Sequence, residues 1–204
     1  MKEKKNKEPV LYNKGPFVAY FILMFLVCFS IAMPSCIGGL GTPLFNVGII
    51  LGCVLSMVGI ILVSRSRKVA PAPIISLIYI CINLPAFINS FIANSFNNYG
   101  FYLSTLMYVL FIISFFLFVF GHAYENYKRV ATSYFFLVLG MIFFLSMNIV
   151  TLVFYYNYSS IIATYLNLGM YIYMYIYPTT VLILFPVFGM ISPIKAARKL
   201  ASEK

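Results

Sequence analysis

Tryptophan is absent, histidine occurs once, and the only acids are four glutamates in a chain of 204 residues. Charged residues make up 9% of the chain against 63% hydrophobic and 19% aromatic, whereas soluble globular domains carry about 25% charge and roughly half apolar residues. This shortage of charge excludes a water-soluble enzyme, a coiled coil and a disordered tail. The mean hydropathy of +0.98 points to an integral membrane protein. The length suits one domain rather than two.

Few histidines and carboxylates also leave enzyme chemistry short of parts. A catalytic nucleophile needs a base, and a catalytic metal needs several His or carboxylate ligands. His122 and Glu125 stand one helical turn apart with no third ligand near them, so they read as part of an ordinary polar loop. The glycines from Gly38 to Gly41 form a turn and not a phosphate-binding loop. The expectation is no catalytic residue, no metal and no cofactor. The four cysteines (Cys28, Cys36, Cys53, Cys81) form no C-x-x-C pair, and they read as structural thiols behaving like small hydrophobes.

What the chain does have is long apolar runs. A hydrocarbon core about 30 Å thick needs roughly 20 apolar residues in a helix. Six runs qualify, at 17–37, 44–63, 74–93, 101–121, 131–155 and 161–190, and none contains Asp, Glu, Lys or Arg. Each is too long and too uniformly apolar for the alternation of a membrane barrel. The fold expected is an all-α, six-transmembrane-helix bundle over 17–192 with short loops and no soluble domain. A basic arm (1–16) precedes it and a basic tail (193–204) follows.

The formal charge of +10 would suit a nucleic-acid binder, but its placement argues for membrane orientation instead. All fourteen Lys and Arg residues fall on the arm, on the loops after the second and fourth runs, and on the tail. Cytoplasmic loops concentrate Lys and Arg, so both termini are expected in the cytoplasm, in a multi-pass protein of the cell membrane. The same charges would face anionic lipids of the inner leaflet.

Three features inside the runs stand out. Gly48, Gly52, Ser56 and Gly59 share one face of the second run and invite a close helix neighbour, either within the chain or in another membrane protein or copy. Pro85, Pro178 and Pro186 interrupt apolar runs and are expected to kink them. Tyrosines stand in for tryptophan at the two interfaces, with Tyr20, Tyr124 and Tyr134 among those marking the inner one.

Intramembrane polar residues mark functional sites, and here all of them are uncharged. Asn46, Asn89, Asn148, Thr151 and Asn167 fall in the outer half of the runs, and Asn89, Asn148, Thr151 and Asn167 with the mid-membrane Tyr171 suggest a shared polar pocket for a neutral or zwitterionic solute. The competing explanation is that the amides only glue helices together, at about 0.5–2 kcal/mol per pair. The function expected is a small transport or permease-type component. Its compact loops leave no room for an ATP-hydrolysing domain, so an ATP-binding partner subunit would supply energy. The alternative is a non-catalytic scaffold that binds another membrane protein, or itself, through the small-residue face.

Overall fold

The computed structural model describes residues 14–37, 43–65, 71–92, 99–124, 126–158, 172 and 176–202. They form seven helices: α1 (Lys14–Ile37), α2 (Pro43–Arg65), α3 (Pro71–Ile92), α4 (Tyr99–Ala123), α5 (Tyr127–Tyr158), α6 (Tyr177–Gly189) and α7 (Ile191–Ser202). No strand occurs among the described residues. Among the described residues five stretches are long and apolar enough to cross a bilayer, the last running from Tyr177 through the start of α7, and α3 adds a shorter apolar stretch, Pro71–Pro85.

The first five helices outrun the apolar stretches on which they are built, because polar and proline residues can occupy their first and last turns. Pro43 and Pro71 open α2 and α3, positions where a missing N–H goes unneeded. Pro178 lies in the first turn of α6, and of the five residues before it only Ile176 and Tyr177 are among the described ones. Pro85 and Pro186 do lie inside helices. At Met190 α6 passes into α7: its N–H donates to the carbonyl of Pro186 (3.0 Å) and its own carbonyl accepts from Ile194 (3.1 Å).

Each helix packs on its successor, and α1 closes the ring against α6, while α3 also touches α5. The exterior is strongly apolar: Leu26, Val47, Val54, Ile61, Ile112, Phe116 and many others are exposed, as lipid rather than water would favour. With lipid outside, burial of apolar surface gives little drive for association, and close packing has to supply it.

Glycine sockets filled by aromatic rings provide that packing. The Phe21 ring of α1 fills the space beside Gly59 of α2, where a Cβ would stand 2.6 Å from it. Phe111 of α4 sits in the same way against Gly140 of α5, and Phe17 of α1 against Gly189 of α6. One polar tie joins α4 to α5, where Ser114 Oγ donates to the carbonyl of Ser133 at 2.8 Å.

The helix ends that carry described basic residues gather at one end of the bundle. Lys14 Nζ donates to the carbonyl of Ser64 (3.1 Å), next to Arg65. Phe17 touches Tyr134 of α5 as well as Gly189, and Gly121 lies beside Arg129 and Val130. The helix α7, which carries Lys195, Arg198 and Lys199, packs on α5 and α6.

Candidate functional site

Sequence alone pointed to the outer half of the bundle. Of the five residues expected to line a pocket there, Asn167 and Tyr171 lie outside the described residues, as do the side chains of Asn89 on α3 and Thr151 on α5. Asn148 is buried on α5, and its Nδ2 donates to the carbonyl of Phe144 one turn back (2.9 Å). Asn83 on α3 does the same with Tyr79 (2.8 Å). Each of these bonds ties an amide to its own helix.

The small-residue face of α2 is filled from within the chain. Gly48 meets Cys81 and Pro85 of α3, Gly52 meets Cys28 of α1 and Ile82 of α3, and Gly59 meets Phe21 of α1. Ser56 is buried on the same face and donates back to the carbonyl of Gly52 (2.7 Å). A partner protein would therefore have to use a different surface.

The chemically unusual place lies at the centre of the ring, nearer its basic end. Tyr20 and Tyr134 are core residues and not interfacial anchors, since neither has any exposed surface, whereas Tyr124 is exposed. The amphipathic phenol suits either setting, and only the packing partners decide which one it takes. Tyr20 meets Phe21 edge-on (5.3 Å between ring centroids, 88°) and reaches Phe185 of α6 (6.2 Å, 76°). Tyr79 of α3 stacks on Phe111 of α4 (5.2 Å, 18°) and stands edge-on to Phe144 of α5 (5.2 Å, 66°). Five helices thus hold two phenols at the bundle axis.

The two phenols adjoin one another, and Cys28 of α1 lies close to both. Even so, neither the Tyr20 nor the Tyr79 hydroxyl makes a well-formed hydrogen bond, and the Ser76 hydroxyl, one turn from Tyr79 on α3, makes none either. All three residues are at most 1% exposed. Each buried hydroxyl left unpaired costs about 1–3 kcal/mol. The bundle therefore keeps a destabilising polar cluster at its centre.

A second pair of orphaned groups lies further from the basic end. Tyr108 Oη of α4, beside Cys81, and Asn46 Oδ1, in the first turn of α2, are buried without a partner. Sequence reasoning missed Tyr20, Ser76 and Tyr79. The only signal for them was the spacing of Ser76, Tyr79 and Asn83, which places the three side chains on one face of α3. No group of three or more His, Cys, Asp or Glu that would suit a metal occurs among the described residues. His122 is exposed near the end of α4 and lies beside Phe118. Comparison with protein-family models, with curated proteins and with solved structures finds no match for this chain.

Proposed function

We propose that the protein crosses the cell membrane six times with both termini in the cytoplasm. In this reading it is a permease-type component for a neutral or zwitterionic solute, working with a partner subunit at its basic end. The observation that carries the proposal is the trio of fully buried hydroxyls of Tyr20, Ser76 and Tyr79 at the ring centre, none of which makes a well-formed hydrogen bond although the two phenols adjoin. A membrane bundle gains nothing in stability from such groups, but a polar solute crossing the bundle would use them as donors and acceptors in turn. The described interior holds no charged side chain, which matches an uncharged cargo.

Support for the orientation comes from Lys14, Arg65, Lys128, Arg129 and the basic residues of α7, which all gather at one end, as the concentration of Lys and Arg in cytoplasmic segments requires. That end is also where an ATP-binding subunit would dock and where inner-leaflet anionic lipids would be met. The alternative scaffold role would have to use a surface other than the small-residue face of α2, which α1 and α3 fill.

Two experiments test the proposal. Labelling of single cysteines placed in the arm and the tail should report both ends as cytoplasmic, and an extracytoplasmic end rejects the topology. Cells expressing the chain, or its Tyr79→Phe or Ser76→Ala variants, can be assayed for uptake and efflux of labelled amino acids and polyols. Transport that depends on the chain and falls in the variants at equal membrane abundance is expected. Identical solute pools with and without the chain reject the permease role.

A further inference from the structure

The sequence shows no cysteine motif, but folding brings two cysteines from different helices together. Cys28 is buried on α1, and because Gly52 has no side chain its Sγ lies against the α2 backbone, 3.1 Å from where a Gly52 Cβ would stand. The next residue on α2 is Cys53, and its thiol is within contact range of the Cys28 thiol. Disulfides need closely spaced Cα atoms, and a glycine in the seam is what favours a close approach of the two helices. The remaining cysteines are placed differently, with Cys36 exposed near the end of α1 and Cys81 beside Tyr108 of α4.

We propose that Cys28 and Cys53 form an intramembrane redox site, a dithiol that a lipid-soluble quinone closes to a disulfide between α1 and α2. The depth of the pair selects the oxidant. Cys53 lies about 15–18 Å along the helix axis from either end of α2, so water-soluble disulfides and oxidoreductases meet the hydrocarbon layer first. Cys28 is enclosed, while Cys53 is half-buried and flanked by the exposed apolar side chains of Ile50, Val54 and Met57. Cys53 is therefore the thiol that a quinone in the lipid encounters. In the reaction both S–H bonds break and one S–S bond forms. The two electrons and two protons pass to the two quinone oxygens, giving one hydroquinone for each disulfide. The product is a covalent tie across the Gly52 seam, which fixes α1 to α2.

The site is independent of the transport reading and is tested separately. The full chain is reconstituted in liposomes, reduced, and exposed to decylubiquinone, after which free thiols are alkylated and peptides mapped by mass spectrometry. The expected result is a Cys28–Cys53 cross-link with Cys36 and Cys81 alkylated, and one hydroquinone formed per cross-link. Cys81→Ser should retain the full yield, and Cys53→Ser should form no hydroquinone above empty liposomes. Recovery of all four cysteines alkylated in the folded wild-type chain overturns the proposal, as does a cross-link that joins a different pair.

Discussion

Gly48 lies directly against the backbone carbonyl of Cys81, so that a Cβ on it would stand 2.6 Å from that oxygen and 3.1 Å from Pro85 Cγ. Cys81 is four residues before Pro85, which has no N–H to offer, so the helix itself leaves this carbonyl without its usual donor. The bare glycine lets α2 approach the gap closely enough for a Cα–H contact to the oxygen, an interaction worth about 0.5–1 kcal/mol. The proline and the glycine on the two helices thus act as one feature.

Gly48→Ala is expected to destabilise the bundle by about 1–3 kcal/mol, because the obstructing atom is backbone and cannot rotate aside. Gly15→Ala, with nothing within 4 Å of the added carbon, should stay within about 1 kcal/mol of wild type. Thermal unfolding of the two variants in the same detergent gives the comparison.

Tyr79→Phe keeps the stacking on Phe111 and the edge contact with Phe144 while removing the orphaned hydroxyl. Stability should rise by about 1 kcal/mol, since the cost of an unpaired buried group disappears. Solute movement should fall in the same variant. A drop in stability would mean that the hydroxyl is paired in the membrane.

Truncating Phe21 empties the socket at Gly59. The loss should be roughly 1–3 kcal/mol, below the usual range for Phe→Ala in water-soluble cores because lipid is as apolar as the site. Gly59→Ala alone should also destabilise, by driving a methyl into the ring. Combined with Phe21→Ala it should cost less than the sum, with a coupling of about 0.5–3 kcal/mol. A double-mutant cycle of unfolding free energies measures this directly.

Neutralising Lys195, Arg198 and Lys199 together by glutamine should remove a preference for anionic lipid worth about 1 kcal/mol per charge. Native mass spectrometry from nanodiscs of mixed phosphatidylglycerol and phosphatidylcholine reports which lipids stay bound. Equal retention of phosphatidylglycerol by the triple variant and the wild type would place the lipid contact elsewhere.

The helices were largely legible in the sequence because a bilayer imposes a length, and uncharged runs of that length have few alternatives. The face bearing Gly48, Gly52, Ser56 and Gly59 was legible too, since helical periodicity alone groups those positions. What occupies that face was not legible. Filling by Phe21, Cys28, Ile82 and Pro85 depends on helix order and rotation, which no local pattern encodes. Tyr20 and Tyr134 were misread as interfacial for the same reason, because depth along a helix can be counted and direction around it cannot. The polar centre escaped notice because hydroxyls and thiols look unremarkable in a list of apolar runs. The site emerges only where α1 and α3 meet inside the ring.

Closure of the ring by α1 against α6 bears on how the molecule is made. During synthesis α1 emerges well before α6, so Phe17 precedes the Gly189 that receives it by most of the bundle. Until then one flank of the first helix is covered only by lipid or by the insertion machinery. Premature arrest between α5 and α6 would thus leave an open five-helix sheaf, a natural substrate for membrane quality-control proteases.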